Sequence, residues 1–401
     1  MKILLSAIYP YVYLLLFVTI PFEDYIRALP NILLGILVVT FPFIIKKEDF
    51  KKIDRSLILL LVLFFGYLIG NAAVSGTLAE DFSIIKKVLI AVGLVVLYIP
   101  VHDFDKIKKA ILFSSFAAIV FSVINIVIMT NTLQDFHFGD SPKVIEALLV
   151  DRLYLGLLAV LSILVSYSLM RPKFHPKNKY YLANIIINIL FLFLISTKIA
   201  LLLLLCLLVL RQLYGSKKRI RVPIFLLLVA ILSTLFYVGF SQKEDKQPSL
   251  LTNLVSNTMT WELRSVTWEC GWNIAKEQGI NWTGMGFYNT KDQLVSCYEH
   301  ITNPNKRKSF INHRYNTHNQ FLDFYLSAGL IGLLLFSGLI VALFIKNRNQ
   351  YLPVALLLSL VAYCMVENVF HRQIGAYYIG FILIIVLSRS HSAENKTIKE
   401  R

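Results

Sequence analysis

Charge and cysteine are both scarce in this sequence. Of 401 residues only 16% are charged, four are cysteines, eighteen are glycines and twelve are prolines. A water-soluble domain carries about 25% charged residues, so the low charge excludes an ordinary soluble enzyme. Four cysteines exclude a disulfide scaffold, and so little glycine and proline excludes a collagen-like fibre or a Pro/Gly-rich disordered chain. No Cys/His spacing suits a metal, and neither a Walker loop nor a dinucleotide fingerprint is present. No metal and no cofactor is therefore expected, and any energy source must arrive with the substrate. Acidic residues are also few, 24 against 40 Lys and Arg, for a formal net charge of +16. In a soluble protein that balance would suggest nucleic acid. In a membrane protein basic residues collect on cytoplasmic segments, so location has to be read first, and no nucleic-acid partner is expected.

What the chain has in abundance is apolar length. Hydrophobic residues make up 57% of it. A helix crossing the hydrocarbon needs about 20 mostly apolar residues. By that rule twelve spans are expected, near 4–22, 29–45, 56–74, 87–101, 110–130, 147–170, 180–196, 199–213, 222–240, 320–345, 351–368 and 373–388. The first follows Lys2 but has no small-x-small cleavage site, and it reads as a retained anchor. Lys and Arg in alternate connecting segments number twenty-four on one side, an asymmetry that puts both termini in the cytoplasm. The apolar stretch 180–213 is broken only by Ser196-Thr197-Lys198. As one helix it would measure about 50 Å, too long for a ~30 Å core, so two short helices with a tight outer turn are expected. The resulting expectation is an all-α integral membrane protein in four parts. Residues 1–240 form an N-terminal bundle of nine spans, 241–319 a large folded outer loop, 320–390 the last three spans, and 391–401 a cytoplasmic tail.

A loop of that length, carrying Trp268, Trp272, two cysteines and three of the eight histidines, is a natural place for chemistry. Arg264, Trp268 and Trp272 fall at i, i+4, i+8, one face of a helix. Gly284-Met-Gly286 is turn-like, and phosphate binding and tight backbone geometry are equally good readings of it. His318 stands where the loop enters the tenth span, amid Arg314, Asn316 and Asn319; near neutral pH a histidine can take a proton from a hydroxyl. Arg152 lies just inside the outer end of the sixth span, where an ionisable group is costly and faces protein or a wet cavity; snorkelling beside Asp151 is the plainer account. Lys198, at the outer turn of the hairpin, stands at a similar depth, and two fixed cations at one level suit a diphosphate. Glu367, in the last outer turn, is placed equally well to orient His318 or an arginine, or to pair with Arg372. Cys270 and Cys297 share one side of the membrane, compatible with a disulfide or with two free thiols.

Taken in order, these motifs resemble the O-antigen ligase and polymerase family of bacterial inner membranes. The resemblance rests on Asp151-Arg152-Leu-Tyr-Leu-Gly156, on Thr197-Lys198 where the family pattern has Ser-Arg, and on Arg264 with Trp268 and Trp272 followed by Gly284-Met-Gly286-Phe287. It is completed by His318-Asn319-Gln-Phe-Leu with Ala328-Gly329-Leu-Ile-Gly332. Lysine at 198 keeps the charge but loses the bidentate fork of arginine. The resemblance implies a GT-C-like, metal-independent membrane glycosyltransferase with its active site on the periplasmic face. It would move a glycan en bloc from undecaprenyl diphosphate to an acceptor hydroxyl, on lipid A–core or on a growing glycan. Arg152, Lys198, Arg264 and Arg314 would hold the diphosphate, His318 would position or deprotonate the attacking hydroxyl, and Asn319, Glu367 and Trp268 would support them. A single large outer loop tips the reading towards the ligase over the polymerase, whose pattern has two such loops. A transporter or lipid flippase is the contrasting expectation; it would call for an inverted repeat and ionisable groups at mid-bilayer depth.

Overall fold

The computed structural model describes residues 2–50, 55–101, 104–130, 148–171, 175–214 and 261–399. The span expected at 222–240, the start of the long loop at 241–260 and the segment 131–146 lie outside these residues. Every described element is helical. The longer helices are α1 (Lys2–Thr19), α2 (Leu29–Ile44), α3 (Arg55–Val74), α4 (Leu78–Tyr98), α5 (Phe104–Thr130), α6 (Arg152–Leu169), α7 (Asn178–Leu194) and α8 (Lys198–Gln212). They are followed by α9 (Trp261–Gln278), α10 (Phe287–Tyr298), α11 (Pro304–His313), α12 (Gln320–Asn347), α13 (Tyr351–Val366) and α14 (Gln373–Lys399). Among the described residues four helices are long and apolar enough to cross a membrane, and shorter apolar helices stand beside them. Their composition explains the arrangement. Leu59, Val62, Phe113, Ile124, Leu190 and Phe193 are exposed on helices apolar all round, as lipid-facing surfaces are. Tyr13, Phe17, Phe64, Phe324, Tyr378 and Phe381 fill the interior. Polar side chains also join neighbouring helices: Ser115 donates to Asn188 at 2.6 Å, and Asn184 to Ser162 and Ser166 at 2.9 and 2.8 Å.

Several expected boundaries move. The helix expected to begin near 87 starts at Leu78; in its first turn Asp81 is buried and accepts hydrogen bonds from Thr77 Oγ1 and from the Tyr288 N–H, both at 2.8 Å. Arg152 is the first helical residue of α6, not a position inside a span, since Asp151 caps the helix through the Leu153 N–H at 3.0 Å. α13, expected to run to 368, stops at Val366 and leaves Glu367 in the following turn. The hairpin turn falls at 195–197, with Ser196 at φ +50°.

Contacts sort the connecting segments to two ends of the bundle. At one end Arg211 lies over the rings of Tyr167 and Tyr351, and Tyr214 donates to the Arg348 carbonyl at 3.0 Å. At the other end lie the turn after α13 and the helices of the long loop. There α9, α10 and α11 are closed by a Cys270–Cys297 disulfide around a small core of Ile274, Leu294, Tyr298 and Phe310.

The loop docks where α12 is broken. Gly329 sits at φ +69° inside α12 and Gly284 at φ +76° in the loop; a Cβ on either would overlap the opposing backbone. This close approach lets the Met285 and Gly286 N–H groups donate to the Leu326 and Ser327 carbonyls at 3.0 and 2.9 Å. Leu330 and Ile331 donate back to Asn281 and Trp282 at 2.9 and 3.2 Å. The break therefore leaves these backbone groups satisfied. Of the two readings of Gly284-Met-Gly286, tight backbone geometry is the one observed: the N–H groups of Gly284, Met285 and Gly286 all bond protein acceptors.

Candidate active site

His318 follows a tight turn in which its own N–H bonds Asn316 Oδ1 at 3.0 Å and its φ is +46°. A non-glycine residue in this left-handed region is uncommon and is tolerated where surrounding contacts hold it. Those contacts are present. Trp268 Nε1 donates to the His318 carbonyl at 3.4 Å, and the Tyr315 ring lies 6.1 Å from the imidazole. His318 Nδ1 stands 3.1 Å from Glu367 Oε2, and Glu367 is 6% exposed. An ionised carboxylate only accepts, so Nδ1 carries the proton. In the neutral ring Nε2 is then the basic nitrogen, and that atom is buried with no hydrogen-bond partner. Burial by itself would raise the Glu367 carboxyl. The hydrogen bond and charge of His318, with Arg372 and Arg264, outweigh it and hold the group below the usual carboxylate range.

Cations gather around this pair. Arg264 on α9 donates through Nε to the Val366 carbonyl at 3.0 Å, one residue before Glu367. Its neighbours in electrostatic reach are Glu367, Asp151 and Arg152, which brings the N-terminus of α6 to the same place. Gly156, one turn into α6, has no side chain to separate it from the hairpin. A Cβ there would lie 3.1 to 3.3 Å from the Tyr363 hydroxyl, Ala200 and Thr197, so the turn that starts α8 with Lys198 packs against α6 near Arg152. Both cations occupy the first position of a helix, where the dipole already presents positive charge. A cation there is unfavourable for the helix alone. Two such helix starts side by side make an electropositive surface suited to an anion.

The structure sorts the other expected residues. Asn319 caps α12, its Oδ1 accepting from the Phe321 and Leu322 N–H groups at 3.0 and 3.1 Å, a role that uses the amide oxygen. Arg314 is committed to an ion pair with Asp292 on α10 and does not join the cluster of Arg264 and Arg152. Asp151 pairs with Arg372 at 3.4 Å and not with Arg152, while Glu367 pairs with His318. Arg372 also lies over the Tyr154 ring at 5.8 Å. It joins the network from a turn far along the chain; the sequence offered it as a partner for Glu367, not for Asp151. Trp272 on α9 and Trp282 just after it are exposed.

Residues 183–337 match the family model described as O-antigen ligase. That match covers less than half of the chain; it takes in Lys198, Arg264, Trp268, His318 and Asn319 and supports the resemblance to the O-antigen ligase and polymerase family. It supports a function of the O-antigen ligase or polymerase type in general. No curated protein matches the chain.

Proposed function

We propose that the protein is a membrane glycosyltransferase that moves a glycan en bloc from undecaprenyl diphosphate to an acceptor hydroxyl, most specifically the O-antigen ligase acting on lipid A–core. The observation that carries this reading is the His318–Glu367 pair, with a buried, unpartnered Nε2, beside Arg264, which bonds the Val366 carbonyl next to Glu367. In this mechanism His318 Nε2 takes the proton of the attacking hydroxyl as the new glycosidic bond forms. Glu367 holds the tautomer and balances the imidazolium. The bond to the diphosphate oxygen breaks on the opposite face, with inversion, and the charge on the departing diphosphate is held by Arg152, Lys198 and Arg264. Exposed Trp272 offers a face for sugar stacking. The chain would cross the inner membrane twelve times in a GT-C-like bundle, with the 241–319 loop and the site on the periplasmic side and both termini in the cytoplasm. The Cys270–Cys297 disulfide suits an oxidising compartment and so supports that sidedness. Ionisable groups gathered at one end of the bundle favour transfer at a surface over transport through a path.

The test is a knockout in the native host complemented with wild type or His318→Ala, read as surface polysaccharide on a gel. Loss of the whole ladder with bare lipid A–core, while lipid-linked polymer accumulates, is the expected result. Core bearing a single repeat unit would assign the polymerase reaction. Removal of the base is expected to slow transfer by about 10²–10⁴-fold, so wild-type transfer by His318→Ala sinks the base role.

A further inference from the structure

The entry to α12 and the turn after α13 are laced together by side chains. His318 Nδ1 meets Glu367 Oε2 at 3.1 Å, and Thr317 Oγ1 donates to Asn368 Oδ1 at 3.0 Å. Gln320 Oε1 accepts from the Phe370 N–H at 3.0 Å, and His371 Nε2 meets Asp323 Oδ2 at 2.8 Å. The lacing is reciprocal, each segment giving one histidine and one carboxylate. Asp323 is 2% exposed and accepts a second bond from Gln320 Nε2 at 3.2 Å. Because the carboxylate only accepts, His371 Nε2 carries the proton of this bond. Lys87 on α4 donates to the His371 carbonyl at 2.7 Å and pins the same turn from a third element.

The second His–carboxylate pair has a consequence for the first. Glu367 lies beyond α13 in extended backbone, with φ −152° and ψ 148°, so helical hydrogen bonding does not by itself set where its carboxylate points. The turn is tied to α13 at its start by the Glu367 N–H to the Tyr363 carbonyl at 2.9 Å. At its far side it is tied by His371 to Asp323. We propose that His371 and Asp323 are positioning residues that hold Glu367, and through it the basic nitrogen of His318, in line with the acceptor hydroxyl. This rests on the reading of His318 as the base.

The test uses the full-length enzyme in detergent, with lipid-linked glycan and acceptor glycolipid extracted from the native host. His371→Ala and Asp323→Asn are each expected to lower kcat by up to about 10²-fold, with the donor KM unchanged, the scale set by misplacing a reacting group by about 1 Å. His371→Gln keeps an N–H for Asp323 and is expected to recover most of the rate. On a His318→Ala background His371→Ala is expected to cost nothing further, since residues acting through one group are not additive. A His371→Gln enzyme as slow as His371→Ala at a wild-type melting temperature overturns the proposal. So do losses that multiply on the His318→Ala background, or a loss carried by KM alone. A wild-type rate in His318→Ala is a separate result that removes the base reading itself.

Discussion

At His318 the two ring nitrogens have different fates, and the proposed base role rests on this difference. Nδ1 is spent on a buried carboxylate and Nε2 is left unpartnered. Replacing Glu367 with Gln keeps the shape but removes the charge that stabilises the imidazolium and fixes the tautomer. A fall in kcat of about 10²-fold or more is expected, and single-turnover transfer measures it. Glu367 also sets a pH dependence of stability. Its folded-state pKa is depressed, so its contribution is present above the ordinary carboxylate value, about 4.3. That contribution is lost as pH falls through the lower folded value. Melting temperatures across the acidic range should therefore drop more steeply in wild type than in Glu367→Gln; parallel curves would contradict the pairing.

Among elements, the break in α12 decides how the loop meets the bundle. Loop residues 281–286 bond the backbone on both sides of Gly329, and the Tyr67 hydroxyl reaches the Ala328 carbonyl at 2.7 Å from α3. Asp81 completes the junction by accepting from the N-terminus of α10. Gly284→Ala or Gly329→Ala forces a side chain against backbone at a positive φ. Each is expected to cost about 2 kcal/mol or more. Thermal unfolding in detergent reads the loss. The double variant should cost less than the sum of the two, because both open one junction; full additivity would mean the two glycines serve separate contacts.

For the whole molecule, the loop must stay folded against the bundle to bring Arg264 and Trp268 to His318. The Cys270–Cys297 bond closes a separation of 27 residues. By chain entropy a loop of that size contributes about 3–4 kcal/mol. Cys270→Ser, or reduction of the purified protein, is expected to lower the melting temperature of the loop and to reduce transfer. Alkylation mobility shifts before and after reduction report the bond in cells. Free thiols at both positions in freshly isolated membranes would contradict an oxidising location for the loop.

The sequence by itself determined the apolar segments, the hairpin turn before Lys198 and the basic residues proposed to hold an anion. Bilayer thickness imposes a length that composition reveals directly, and a charge inside an apolar run stands out against its cost. Arg264 and His318 were legible for a similar reason, as polar and basic residues set at a helix face and a loop-to-helix junction. Only the tertiary structure decided that Glu367 serves His318, that Asp151 takes Arg372, that Arg314 turns away to Asp292, and that Asp323 holds His371. Most of these partners stand about fifty residues or more apart. Which carboxylate meets which cation depends on helix neighbours and on where each helix ends, and those follow from packing of side chains across the bundle, which no local spacing encodes.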